Sequence, residues 1–132
     1  MNLGPALYEV LYVSTLAPGQ PLGVVAEIAA QARVANGQLD ITGLLIFDGQ
    51  RFCQQLEGPK KQVLKLIERI RNDPRHTKVE VLHHGPLAGR RFHQFSLAFS
   101  TVEDVDALER MEQLDGDAAL AAFDVVRSEL VF

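Results

Sequence analysis

Residues Ile41 to Gly58, ITGLLIFDGQRFCQQLEG, hold two short apolar runs on either side of Asp48-Gly49-Gln50, a turn sequence, and so form an antiparallel hairpin. Side chains alternate between the faces of a strand. Phe52, Gln54 and Leu56 therefore share one side of the second run, and Arg51, Cys53, Gln55 and Glu57 share the other. The charges mark the second set as the solvent face. Gln54 then stands between a Phe and a Leu on the core side, where an amide without partners costs about 1–3 kcal/mol. Either the core satisfies it or it faces a ligand.

Outward from the hairpin, Leu7 to Ser14 forms a first strand with Tyr8, Val10 and Tyr12 on one face, ending at Ala17-Pro18-Gly19. Leu22, Val25, Ile28, Ala29 and Ala32 follow helical spacing from Leu22 to about Val34, and Asn36-Gly37 supplies a stop. Gly58-Pro59 ends the third strand and starts a helix over Lys60 to Asn72, whose apolar stripe is Val63, Leu66, Ile67 and Ile70. Lys78 to His83 makes a fourth strand, broken by Gly85-Pro86, and Arg91 to Ser100 alternates as a fifth. A capping box at Thr101-Val102-Glu103-Asp104 opens a third helix, and Asp115-Gly116-Asp117 separates it from a fourth that runs to about Glu129. The order predicts an α+β fold: a ferredoxin-like βαββαβ sandwich with an added fifth strand and two C-terminal helices. Residues 1–100 form the main domain, and 101–132 form a helical cap of the same domain.

At 132 residues the chain supports one core. A net charge of -4 argues against nucleic acid as partner and against an anionic membrane surface. Cys53 is the only cysteine, so it has no internal disulfide and no zinc-site spacing, which fits a reducing compartment. The start, MNLGPALYEVLYVS, has no basic n-region or long apolar stretch, and no run approaches the ~20 apolar residues of a membrane span. A cytoplasmic location is expected. Ser14, Cys53, His76, His83, His84 and His93 are scattered and match no catalytic triad. His83 and His84 point to opposite faces, which suits no shared metal, and QLEGPKKQV lacks a phosphate-loop pattern. Arg90-Arg91 is expected to be a solvated pair. Three polar residues remain: Tyr12, Gln54 and Asn36 satisfy one another or backbone groups, or they hold a flat polar ligand between two helices.

Five pieces, LYEVLYVS, ANGQLDITGLLIF, FCQQLEG, RIRNDPRH and RRFHQFSLAF, follow in an order and at distances that resemble the BLUF domains, blue-light sensors that use flavin. The resemblance covers about Leu7 to Ser100. It implies FAD, or FMN, between the two helices of the core, with Tyr12 as the photoactive tyrosine, Gln54 as its partner and Asn36 as a flavin contact. Ile28 and Ile70 would sandwich the ring, and Arg69, Asp73, Arg75 and His76 would lie near its ribityl and phosphate parts. It further implies a hydrogen-bond switch with no substrate turned over, acting through a downstream protein partner, in a homo-oligomer. Three positions depart from the family pattern: Ala35 where many relatives carry a second Asn, and Phe95 and Leu97 in place of the Trp and Met that relay the signal. These favour an alternative reading as a degenerate interaction module with weak or no light response. An acylphosphatase-like hydrolase on the same scaffold finds no arginine-bearing phosphate loop here.

Overall fold

The computed structural model describes residues 6–21, 23–92 and 106–129, and the backbone of 98–101. Strand β1 (Leu7–Leu16), helix α1 (Gly23–Gln38), β2 (Thr42–Phe47), β3 (Arg51–Pro59), helix α2 (Lys60–Arg71) and β4 (His76–Leu87) come first. Strand β5 (Ala98–Thr101) and helices α3 (Ala107–Glu112) and α4 (Gly116–Ser128) follow. The sheet order is β4-β1-β3-β2-β5. The first four strands pair antiparallel, and β5 lies parallel to β2. This is the expected ferredoxin-like sandwich with its added strand and C-terminal helices.

The hairpin that decides the topology is locally determined. Asp48 accepts the backbone N–H groups of Gln50 (2.9 Å) and Arg51 (2.6 Å) on one carboxylate oxygen, and Gly49 takes a φ of 102° that a side chain would resist. On one face of the sheet, Val24, Val25, Ile28 and Ala29 of α1 pack on Leu45, Phe47 and Phe52. Val63, Leu66 and Ile67 of α2 pack beside them on Tyr8, Val10, Tyr12 and Leu56. The opposite face, with Leu11, Val13, Leu44, Ile46 and Cys53, is covered by Leu108, Met111, Ala119 and Phe123 of α3 and α4.

That second layer overturns the solvent-face reading of β3. Cys53, Gln55 and Glu57 are each 0% exposed. Their polarity is absorbed internally: Glu57 accepts Thr42 Oγ1 (3.2 Å) and the backbone N–H groups of Arg91 (3.0 Å) and Phe92 (2.7 Å), and Arg51 pairs with Glu112 at 2.8 Å. Arg90 and Arg91 are likewise anchored rather than free in solvent. Arg90 donates to Thr42 Oγ1 (2.9 Å) and the Asp40 carbonyl (2.9 Å), and Arg91 donates to the buried Glu9 carboxylate (2.8 Å).

Four boundaries differ from expectation, the first two for reasons visible in the backbone. Helix α1 runs through Asn36-Gly37 to Gln38, since a single glycine costs a helix only about 1 kcal/mol. The stop comes from Asp40, in the left-handed region at φ 58°, with Ile41 N–H bonded back to the Asn36 carbonyl at 2.8 Å. Strand β4 continues through Gly85-Pro86 to Leu87 because it lies at the sheet edge, where a missing N–H breaks no ladder. Thr101 closes β5, and the third helix begins at Ala107 rather than at the capping box, whose residues 102–104 lie outside the described residues. Arg91 and Phe92 precede rather than form the fifth strand, and Phe95 and Leu97 lie outside the described residues.

Gly43 faces Leu56 across the β2–β3 ladder, and a Cβ there would stand 2.1 Å from the Gln55 carbonyl oxygen. Gly43→Ala is expected to destabilise the fold by about 1–3 kcal/mol. The check is a lower urea midpoint at unchanged slope; an unmoved midpoint would contradict the close approach of β2 and β3.

Candidate functional site

Helices α1 and α2 part over the middle of the sheet and leave a cavity of about 280 Å³. Tyr12, Gln54, Ile28, Asn36, Arg69, Ile70, Asp73, Arg75 and His76 all line it, so every described residue marked by the sequence meets at one place. Phe95 and Leu97 cannot be placed there, being outside the described residues. Of the two tyrosines on that face of β1, only Tyr12 reaches the cavity. Tyr8 bonds the exposed His84 through Nδ1 at 2.5 Å and lies under Lys60, away from it.

The floor of the cavity is a cross-strand pair. Tyr12 and Gln54 stand directly opposite in the β1–β3 register, and the phenol donates to Gln54 Oε1 at 2.5 Å. Half of the Gln54 question raised by the alternation is thus answered: its oxygen is satisfied by Tyr12. Its Nε2 is buried and has no partner. Burial, with smaller contributions from Cys53 and Asp73, pushes the Tyr12 phenol well above its ordinary range, so it stays protonated. The pair is a neutral donor bonded to an amide that lines the cavity and whose own nitrogen is unmet.

Bulge geometry marks this point in the sheet. Leu11 pairs with His83 and Tyr12 with Val81, so β4 carries one extra residue, Leu82, beside Tyr12. Ile28 of α1 and Ile70 of α2 supply apolar walls, joined by Ala32, Leu45 and Leu66. Asn36, fully buried in the last turn of α1, brings an amide to the same space. Leu45 lies opposite Gln54 in the β2–β3 register, so its place was legible from the hairpin, though sequence reasoning did not single it out.

The rim at the end of α2 is polar. Arg75 binds Asp73 through two parallel bonds, Nε to Oδ1 at 3.0 Å and Nη2 to Oδ2 at 2.7 Å. Those bonds hold the Asp73 carboxyl below its ordinary range and raise the guanidinium. Arg75 is therefore committed to Asp73, while Arg69 is exposed at a lip shared with a second, shallower cavity of about 380 Å³ along α1. His76 Nδ1 meets Ser14 Oγ at 2.9 Å, and its ring lies 4.9 Å from that of Phe52. Ser14 is two residues beyond Tyr12 on the same strand face, the one signal by which sequence could have found this pair. No group of three or more His, Cys, Asp or Glu side chains suited to a metal occurs among the described residues.

Burial lowers the His76 pKa from 6.5, with Asp73 opposing the shift. A depressed folded value means the unfolded chain takes up the proton first as pH falls. The stability contributed by neutral His76 is therefore complete above about pH 6.5 and is lost below it, while Asp73 acts in a lower window. His76→Gln is expected to flatten the stability–pH slope just below pH 6.5. An NMR titration placing His76 at or above its ordinary value would contradict the buried placement.

Comparison with known proteins supplies the context for this geometry. A family model for sensors of blue light using FAD, named BLUF, matches residues 7–98. The blue light- and temperature-regulated antirepressor BluF of Escherichia coli (strain K12) is 36% identical over 86 residues, 65% of this chain and 21% of that protein. The photoactivated adenylate cyclase subunit beta of Euglena gracilis is 41% identical over 80 residues, 60% of this chain and 9% of that protein. The chain thus spans about a fifth of the first relative and less than a tenth of the second. Among solved structures, the dark state of BlrB, a BLUF protein, superposes with a TM-score of 0.79 at 28% identity, covering 96% of this chain and 98% of that one. BlrP1 of Klebsiella pneumoniae with FMN and cyclic diGMP gives 0.69 at 32% identity over 83% and 30% of the two chains.

Proposed function

The chain belongs to the BLUF family of blue-light sensors that bind flavin, and on that premise we propose that Tyr12 and Gln54 are its photochemical pair, with the flavin held between α1 and α2. The observation that carries the assignment is Gln54 Nε2, a buried donor without a partner on a residue that lines the cavity. A ligand with carbonyl and ring-nitrogen acceptors along one edge suits that donor, and the apolar walls of Ile28 and Ile70 suit a flat ring. An interaction module with no cofactor would leave the orphaned amide and the cavity without a purpose.

A flavin held between Ile28 and Ile70 would supply a blue-absorbing ring that becomes a strong electron acceptor when excited. Tyr12 is protonated at physiological pH, so if its phenol gave an electron to that acceptor, the proton it then released would have Gln54 Oε1, the atom it already bonds, as its acceptor. The amide is the element that can record the event. A half-turn about its last side-chain bond exchanges Oε1 and Nε2, so the group facing Tyr12 changes from acceptor to donor and the group facing the cavity changes the other way. Two arrangements of one amide, each with its own hydrogen bonds, make a two-state switch. On this account the amide and its hydrogen bonds record the light, and we read the protein as a switch rather than an enzyme.

We assign FAD rather than FMN as the cofactor. The second cavity shares Gln31, Ala35 and Arg69 with the first, which gives an adenylate half a continuous path with a cation at the junction. Asn36 would bond the ring edge, and the Asp73–Arg75 pair and His76 would close the ribityl side. The signal would pass to a separate protein partner from a homo-oligomer in the cytoplasm, with Phe95 and Leu97 on the relay. No helix among the described residues is long and apolar enough to cross a membrane.

The purified protein is expected to be yellow, to shift its flavin band to the red under blue light and to recover in the dark. Tyr12→Phe and Gln54→Leu should each abolish the shift; full retention in either variant would sink the assignment. Arg69→Ala is expected to weaken FAD about tenfold while leaving riboflavin affinity unchanged, measured by fluorescence titration. Equal losses for both ligands would remove Arg69 from the phosphate end.

A further inference from the structure

We propose that a buried polar joint on the opposite face of the sheet, built from Gln55, Glu9, Glu57 and Arg91, couples the Tyr12–Gln54 site to the C-terminal helices. The proposal rests on the sensor reading above. Gln54 and Gln55 are neighbours on β3 and point to opposite faces, so any change in the backbone at Gln54 is delivered to both. Gln54 meets Tyr12, whereas Gln55 Nε2 donates to Glu9 Oε1 at 2.7 Å, an oxygen it shares with Arg91 Nη1 at 2.8 Å.

From there the links run to the cap. Glu57, two residues along β3, holds the backbone N–H groups of both Arg91 and Phe92 with its two carboxylate oxygens. Phe92 is buried in one cluster with Leu108, Met111 and Phe123, and the Arg127 guanidinium of α4 lies 5.9 Å from its ring centre. A second link starts at α1. Its last-turn Asn36 carbonyl holds Ile41 N–H, and Arg90 ties the adjacent Asp40 carbonyl and Thr42 hydroxyl to the same segment. Residues placed at the cavity by both β3 and α1 thus converge on residues 90–92.

The joint has room for a second state. Gln55 Oε1 is buried without a partner, beside an arginine that already shares Glu9 with the same amide. Arg91 carries five N–H donors, so it can keep Glu9 and turn a second donor to Gln55 Oε1, which gives the joint two arrangements with the carboxylate paired in both. A coupling route needs such a pair of arrangements that both ends can bias.

The test is hydrogen–deuterium exchange on the flavin-loaded full chain, dark and illuminated, with the absorption shift recorded on the same samples. In the wild type, illumination is expected to change protection in residues 107–128. In Gln55→Leu and Arg91→Ala the red shift should keep its full size, while the light-induced change in the helices falls about fivefold or more. If Arg91→Ala fails to fold, Gln55→Leu decides, because Leu replaces a buried amide that is only half satisfied. A helix response of wild-type size in Gln55→Leu would overturn the joint, as would a wild type that shifts its band with no change in 107–128. A wild type with no band shift would overturn the sensor reading itself and the joint with it.

Discussion

The register between β1 and β3 is the constraint on which the rest depends. Tyr12 stands opposite Gln54, Ser14 opposite Phe52 and Val10 opposite Leu56, so one strand pairing fixes the phenol–amide bond and the apolar ground around it. A slip of one residue would turn Gln54 onto the other face and bring Cys53 or Gln55 toward the cavity. The tight β2–β3 approach at Gly43 and the side-chain-capped turn at Asp48 both act against such a slip. The bulge at Leu82 then adjusts β4 without disturbing that pairing.

Because β1 and β3 are central strands covered by helices on both sides, neither face is available to solvent. This explains an otherwise costly feature, the burial of Glu9 and Glu57 within the sheet. A carboxylate removed from water is tolerable only with strong donors around it. Glu57 has two backbone N–H groups and a hydroxyl, and Glu9 has an amide and a guanidinium. Those bonds also hold Arg91 and Phe92 against the sheet, which an apolar pair in the same places could not do directionally.

Much of this was legible in the sequence because it rests on local signals. The hairpin, the βαββαβ order and the apolar faces of both helices follow from turn residues and periodicity, and Gln54 stood out as an amide in an apolar row. The errors share a cause, which is that local pattern does not report tertiary cover. Gln55 and Glu57 looked solvent-facing because nothing nearby in sequence announces α3 and α4 above them. Pro86 looked like a break because its harmlessness depends on β4 being an edge strand, a fact of topology. Arg90 and Arg91 looked solvated because their partners lie 33 to 82 residues away along the chain.

The site itself trades stability for a cavity and an unpaired amide donor. A buried amide with an unmet donor and a cavity between two helices are each unfavourable for a protein that only needs to fold. They become favourable together if a flat ligand fills the space and accepts the free donor, since binding then recovers contacts and a hydrogen bond that folding left unmade. The same amide cannot satisfy both neighbours in only one way, because its two ends differ in kind while its shape is nearly symmetric about the last bond. Between the Tyr12 phenol and the ring edge proposed above, such a group would have two hydrogen-bond patterns available inside one rigid register. A central sheet strand with a residue on each face can then convert that small choice into a mechanical difference between its two sides.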